Sequence, residues 1–572
     1  FIPNLKISEI GSLNDSLALI RGSHSLKMGA NLRWLRNAWT ISGQARGQFN
    51  LSGVFTQNPL SRATSGSGYA DFLLGLPASS SLSNITPGDI RNYSYAFYVQ
   101  DDWKITPRLT FLAGLRWEVF TQPIERHDQQ ANFLPEQGRL VYARDQIPDS
   151  MPPALVMQQP RGLATRSIVR NDYNNLAPRL GLTYTLTRKT VLRTGAGVFY
   201  GDHPFIGALN RLPSQPPYRM VTSYPTDQVY PVITFASGFP QDALAVTEKN
   251  FPNLQVINWD PDFPQNYVYH WSFNIQHDTP WFLVDAGYSG AKGTQQTVEW
   301  DLNSPRAGPG SVASRRPFPA NGTIMHLQPM GNSTYHAFLL RLERRFANGF
   351  GFLTSYTVSK SLDWGGDELP SGDRAYRDVT NIRLDRGPAL FDMRQRLVTS
   401  FLWDLPFGSD RRYGFGAGVL NVILGNWQLN GITTLRTGSP FTPSIGFSSA
   451  NTGHSRPDRI ADGRLPAEQR SIQRWFDKSA FKAAQPYLFG NAGRNILYSP
   501  GAVNVDGSLF KRFRLPWLGE AGELQTRLEA FNLFNTPHFG YPNDRVDLPQ
   551  GGTITGLRGT MRELQFGAKI IF

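Results

Sequence analysis

The chain has 572 residues, with 57 Lys and Arg against 44 Asp and Glu for a net charge of +13, and no cysteine. Without cysteine there is no disulfide scaffold, no thiolate-ligated zinc or iron–sulfur centre and no cysteine nucleophile. With 40% apolar and 12% aromatic residues the chain buries enough surface to offset its ordering entropy, which excludes disorder. A bundle of membrane helices is excluded as well, because the richest apolar run, Val419 to Leu424, falls far short of the ~18 to 20 residues a spanning helix needs.

The basic balance invites a nucleic-acid reading, but the arginines are scattered singly. The tightest groups are pairs such as Arg315-Arg316 and Arg411-Arg412, and a nucleic-acid site concentrates its cations into a stripe. No nucleic-acid partner is expected.

Along the chain the dominant signal is period-two alternation in segments of about ten residues, the β-strand pattern. The first expected strands are 10–20, 25–37, 45–54, 77–86 and 92–105, with a short helix at Tyr69 to Leu76 on the turn side. In the next strand Leu109, Phe111, Ala113, Leu115, Trp117 and Val119 share a face opposite Thr110, Gly114, Arg116 and Glu118. Further on, Tyr267, Tyr269, Trp271, Phe273 and Ile275 alternate with His270, Ser272, Asn274 and Gln276, and Phe282, Val284, Ala286 and Tyr288 repeat the pattern. A second short helix is expected at Gly414 to Leu424. In all, the pattern gives roughly seventeen strands.

Strands come in pairs joined by tight turns, such as Thr106-Pro107 and the favoured hairpin dipeptide Asn348-Gly349. Between the pairs lie long polar stretches rich in Pro, Gly, Asn and Asp: 121–176, 201–266, 290–332, 361–391, 439–502 and 536–560. This places all the long loops at one end of the sheet. The pattern predicts an all-β chain: a transmembrane antiparallel up-and-down β-barrel with short periplasmic turns and long extracellular loops. Lipid offers no hydrogen-bond partner, so only a closed sheet spans it, and alternation follows because one face meets lipid and the other a wet lumen. The last strand fits, with Leu564, Phe566, Ala568, Ile570 and Phe572 on one face. That ending resembles the C-terminal signal of bacterial outer-membrane barrels, in which Phe566, Ile570 and Phe572 would be read by the barrel-assembly machinery.

Several longer motifs add to this. Tyr98-Val-Gln-Asp-Asp-Trp-Lys-Ile-Thr-Pro107 runs into Leu109-Thr-Phe-Leu-Ala-Gly-Leu-Arg-Trp-Glu118. Asn332-Ser-Thr-Tyr-His336 is followed by Ser355-Tyr-Thr-Val-Ser-Lys360. Phe391-Asp-Met-Arg-Gln-Arg396, Asn426-Trp-Gln-Leu-Asn-Gly431, Phe489-Gly-Asn-Ala-Gly-Arg-Asn495 and Arg527-Leu-Glu-Ala-Phe-Asn-Leu-Phe-Asn535 come after. Together they resemble the TonB-dependent transporters, more narrowly the Oar-like group, over nearly the whole chain from about residue 10. The resemblance implies a barrel of about 22 strands with a plugged lumen, set in the outer membrane with its lipopolysaccharide and driven by the TonB complex through an N-terminal region. Plug and TonB-binding segment are not recognisable here, so residues 1–572 are expected to be the barrel portion, without the plug and the first few strands. The implied function is uptake of a scarce or bulky solute, captured by the outer loops. The alternative is a non-transporting surface barrel for adhesion or protein export. A soluble β-propeller enzyme fits neither the one-sided loops nor the terminal strand.

No nucleotide-binding, hydrolase or zinc-protease motif is present, so no enzyme and no cofactor are expected. The candidate site residues lie elsewhere. Arg116, Arg193, Arg394 and Arg396 fall on the polar face of their strands, where they would attract anionic solutes or, by default, be paired among waters. Trp259, Trp300, Trp364 and Trp475 sit in loops and could stack a ligand, with loop packing as the default. Asp363, Asp367, Glu368 and Asp373 beside Trp364, and Asp260 and Asp262 beside Trp259, could take Ca²⁺, since hard cations want several carboxylate oxygens; a solvated loop is the default for both. The ligand-binding set is thus Trp259, Asp260, Trp364, Asp367, Arg394 and Arg396. Trp103, Trp117, Trp281, Trp403 and Trp427 are read as girdle residues at the membrane edges.

Overall fold

The computed structural model describes residues 5–41, 43–58, 65–163, 165–201, 212–225, 231–251, 254, 256–311, 313–319, 321–365, 376–408, 411–414, 418–446, 449–452, 456–519 and 522–572. The long strands are β1 (Leu5–Arg21), β2 (His24–Ile41), β3 (Thr86–Thr106), β4 (Leu109–Phe120), β5 (Asp172–Thr187), β6 (Thr190–Tyr200), β7 (Tyr267–Asp278) and β8 (Leu283–Asp301). They continue as β9 (Ile324–Ala347), β10 (Phe350–Asp363), β11 (Gln395–Asp404), β12 (Trp427–Arg436), β13 (Ala502–Arg514), β14 (Glu523–Phe531) and β15 (Glu563–Ile571). Each pairs antiparallel with its neighbours in chain order. With three short pieces, Ile124–Glu125, Val256–Trp259 and Gly387–Pro388, they make an 18-stranded sheet.

Several expectations need correction. The segments 45–54 and 77–86 are not wall strands: Gln48–Asn50 and Ser79–Ser83 pair with each other, and Val221–Pro225 completes a separate three-stranded sheet. Ser79–Ser83 reads Ser-Ser-Ser-Leu-Ser, which has no apolar face to offer lipid. Nor is the barrel closed. Among the described residues β1 pairs only with β2 and β15 only with β14, so the wall is an open sheet with two free edges.

The expected faces are present in the register. Leu528 lies opposite Phe566 and Leu524 opposite Ile570, and on the other face Glu529 meets Gln565 and Gln525 meets Lys569. The apolar side chains stay uncovered: Leu564, Phe566 and Ile570 are 67%, 73% and 56% exposed. Aromatics mark both edges of the apolar band. Trp103, Trp403 and Trp427 lie near the tight turns, and Tyr93, Tyr95 and Trp117 near the opposite ends. The ten-residue step from Tyr93 to Trp103 spans ~34 Å along a strand, or ~26 Å of height at the usual tilt, close to the ~25 Å apolar band of outer-membrane barrels.

Several apolar-face rings lie flat on a glycine of the next strand. Trp34 faces Gly11, Trp271 faces Gly290 and Phe401 faces Gly431 in direct register. A Cβ on these glycines would come within 2.0, 2.3 and 2.5 Å of the ring, so no larger residue fits under it.

Short connections such as Gly22-Ser23, Pro107-Arg108, Arg188-Lys189 and Asn348-Gly349 join strands at one end. The connections at the other end include 121–171, 201–266, 364–394, 437–501 and 532–562. Helix α1 (Gly68–Leu74) sits in this second set, between β2 and β3, rather than on the turn side expected for it. Ser67 caps its start by accepting from the Ala70 amide, and Gly75 ends it at φ 66° in the left-handed region. Helix α2 (Val419–Leu424) joins β11 to β12 at the tight-turn end.

The buried apolar cores lie chiefly in the long connections. Phe133, Leu140, Tyr142, Phe251, Val256 and Ile324 form one, next to a second around Val169, Leu212, Ile257, Trp259, Phe263 and Leu327. A third gathers Phe441, Phe476, Phe481 and Leu497. The long connections thus fold into a packed cap over one end of the wall.

Candidate functional site

The polar face of the wall carries several arginines. Arg116 donates to Glu118 Oε1 at 2.6 Å and to Asn31 Oδ1 at 2.6 Å, with its guanidinium 5.8 Å from the centre of the Tyr98 ring. Arg193 donates to the Gln276 side chain. Arg341 pairs with Glu343 at 2.5 Å. Arg396 differs: it is exposed, and the residues opposite it are Thr357 on one side and Arg436 on the other. Two guanidinium groups directly opposite each other repel, and both are relieved by an anion between them. Arg394 precedes β11, half-buried, near Tyr498, whose pKa burial and the Asp392 charge raise.

Above this face the cap holds a cavity of about 620 Å³ lined by Trp300, Phe318, Tyr376, Arg377, Val379 and Phe489, among others. Trp300 comes from the upper end of β8, and Tyr376 belongs to a small apolar cluster with Val298 and Ile382, against which Trp364 packs. Two of the lining residues carry a buried donor with no hydrogen-bond partner among the described residues, the Trp300 Nε1–H and the Tyr376 hydroxyl. Burial raises the Tyr376 pKa well above its ordinary value, with the Asp385 charge adding to it, so the hydroxyl keeps its proton and remains a donor. Buried donors left unpaired are costly.

A buried charge network supports this cavity. Arg494 pairs with Asp363 and donates to the Asp385 carbonyl at 3.0 Å. Arg456 pairs with Asp385 at 2.5 Å, and the Asp385 carboxylate accepts from the Arg377 amide at 2.8 Å. Asp392 accepts from the Ser361 amide at 2.7 Å and from the Tyr498 hydroxyl at 3.2 Å. Asn495 holds the Pro388 carbonyl at 2.9 Å and accepts from Thr442 Oγ1 at 3.0 Å. The stretches Phe391 to Arg396 and Phe489 to Asn495 therefore clasp the connections 364–394 and 437–501 to one another.

The remaining sequence candidates are dispersed. Trp259 is fully buried, with its amide donating to Asn132 Oδ1 at 2.9 Å, so its ring packs inside the cap. Asp260 accepts from the Asp262 amide at 3.0 Å in a tight turn, and Asp262 pairs with Arg170. Trp364 is half-buried under Arg383, whose guanidinium is 5.8 Å from its ring. Asp367, Glu368 and Asp373 lie outside the described residues. Among the described residues no three His, Asp or Glu side chains gather as a metal site would require. Tyr376 and Arg377 were missed by sequence reading, because nothing local sets them apart from other residues of a polar connection.

The outer membrane beta barrel domain family model matches residues 1–565. The chain belongs to this family and is an outer-membrane protein. No curated protein matches it. Solved structures similar to it include the outer membrane transporter YddB from Escherichia coli, at 9% identity and TM-score 0.49, over 98% of this chain and 54% of that one. The siderophore receptor PirA from Acinetobacter baumannii is similar at 10% identity and TM-score 0.46, over 98% and 54%. The ferric yersiniabactin uptake receptor FyuA from Yersinia pestis is similar at 11% and 0.42, over 100% and 55%. The chain thus spans about half the length of these structures.

Proposed function

We propose that the chain is the barrel of a TonB-dependent outer-membrane transporter of the Oar-like type, which takes up a scarce or bulky solute. In this reading the wall crosses the membrane as a barrel, with further strands pairing the two free edges. Its long connections face outwards, and the TonB complex drives the uptake. One observation carries the reading: a cap cavity with Trp300 and Tyr376 in its lining lies above a polar face with exposed arginines. A solute rich in acceptors or negative charge would dock at Trp300 and Tyr376 and pass the Arg396 and Arg436 pair on its way through.

The test is uptake by cells expressing the whole protein, with ferric siderophores, cobalamin, oligosaccharides and peptides as probes, in the presence and absence of TonB. One probe is expected to enter saturably and only with TonB. For that probe Tyr376→Phe and Trp300→Phe should raise the half-saturating concentration about tenfold, since a lost hydrogen bond of ~1.4 kcal/mol has that effect. Arg396→Ala should slow passage. TonB-independent entry, or no change in any variant that assembles normally, would count against the transporter reading.

A further inference from the structure

The connection between β11 and β12 holds the most apolar run of the chain, Val419-Leu-Asn-Val-Ile-Leu424, and the structure leaves it uncovered. Val419, Leu420, Val422, Ile423 and Leu424 are 74%, 62%, 56%, 57% and 48% exposed. A flexible apolar tail would be unremarkable, but α2 is fixed. Lys511 of β13 donates to the carbonyls of Ile423 (3.2 Å) and Gly425, the ends of the helix where carbonyls lack an intrahelical partner. The Trp427 indole donates to the same Ile423 carbonyl at 2.9 Å, and Lys511 lies 4.7 Å from the Trp427 ring centre and 5.2 Å from that of Phe513.

Lys511 and Trp427 are opposite each other in register, on the face that also carries Leu429, Leu509 and Phe513. That is the apolar, lipid-facing side of the wall, so α2 is tied to the outside of the sheet at its tight-turn edge. Neighbouring connections add to the same level. Trp517 is 76% exposed in the turn between β13 and β14, and Phe407 and Tyr413 contact each other beside α2 at 40% and 53% exposure. Two exposed cations complete it: Arg411, paired with Asp404 at 3.0 Å, and Arg412, whose guanidinium lies 5.6 Å from the Tyr413 ring centre. Exposed apolar side chains, aromatic rings and arginines gathered at one edge are the composition of a segment lying in a bilayer interface.

We propose that α2, with the Pro516–Leu518 turn, is an interfacial foot. It lies in the phospholipid leaflet at the tight-turn edge of the wall and recognises anionic glycerophospholipid through Arg411 and Arg412. The occupant follows from continuity, because the patch extends the lipid-facing wall, and from charge, because anionic headgroups complement the arginines. Lys511 acts as the clasp that keeps the foot at a fixed height.

The chain has no cysteine, so a single introduced one reports on one position. The whole chain is assembled in vesicles of phosphatidylethanolamine and phosphatidylglycerol, and a nitroxide is placed at Ile423→Cys, at the lipid-facing Leu528→Cys or at the lumen-facing Ser508→Cys. Collision with oxygen relative to a water-soluble nickel chelate measures immersion. The ratio at position 423 should match that at 528 and exceed that at 508 several-fold. Water-like access at 423 with a lipid-like signal at 528 would overturn the foot, and so would protection from both probes that grows with protein density, the sign of a protein contact. Exchanging phosphatidylglycerol for phosphatidylcholine should lower the ratio at 423 about twofold, and should not do so when Arg411→Gln and Arg412→Gln are present. An equal response in both proteins refutes the anionic preference. Val419→Cys gives the same readout if Ile423→Cys fails to assemble, as judged by heat-dependent gel mobility.

Discussion

The wall and the cap are built from the same apolar residue types and use them in opposite ways. In the wall, Leu528 and Phe566 meet across a strand pair and still point outwards, at 49% and 73% exposure. In the cap, Phe133, Tyr142 and Trp259 are fully buried. Hydrogen-bonded ladders hold the wall together, while its apolar surface gains nothing until lipid covers it. The cap completes its burial in water. The two regions should therefore respond differently to the same kind of damage.

The largest effect is expected inside the cap. Phe133→Ala leaves a cavity in a fully buried cluster and should cost about 3–5 kcal/mol of local stability. Hydrogen exchange should show 121–171 opening while β13 to β15 stay protected; equal loosening of the wall would deny the cap its independence. Next is the charge network. Asp385→Ala strips a partner from Arg456 and an acceptor from the Arg377 amide, with about 3 kcal/mol expected because one member of a buried pair is left behind. Limited proteolysis of 364–394 and 437–501 reads the outcome.

In the wall, Leu528→Arg should cost about 2–4 kcal/mol in a bilayer, as charge on a lipid face does, whereas Ser508→Arg on the opposite face should be nearly neutral. Unfolding from vesicles in denaturant compares them, and equal costs would mean the faces are misassigned. The smallest effect concerns pH. His326 is buried in the cap beside Asn258, and burial holds its pKa below the ordinary 6.5. The neutral form is the native one, so its contribution is whole above pH 6.5 and shrinks as pH falls towards the lowered value, where the unfolded cap takes up a proton that the folded cap refuses. The cap should thus become more protease-sensitive from pH 7 to pH 5.5, and His326→Gln should flatten that slope.

The contrast also explains what the sequence reveals. Period two determines which face of a strand is apolar, so the wall's faces, and the exposed places of Phe566 and Ile570, are legible residue by residue. Alternation does not say which sheet a strand joins, and 77–86 alternates too weakly to be told from a wall strand. In the connections the useful information is long-range. Among Asn, Asp and Pro, Trp259 leaves loop packing and ligand stacking both open in the sequence, and its burial depends on Asn132 and Leu327, far away in sequence. The pairing of Arg494 with Asp363 is equally invisible, since no local pattern links them. Tyr376 becomes interesting only once it is seen in the lining of a cavity.

The flat rings over Gly11, Gly290 and Gly431 have a consequence for the membrane rather than for the protein. An aromatic side chain standing upright would project from the wall as a knob and leave gaps between acyl chains. Pressed onto a strand with no Cβ beneath it, the same ring becomes part of a level surface, and the first shell of lipid can pack against it with little disturbance of its order. Replacing one of these glycines with alanine would roughen the wall where the chain and the bilayer meet.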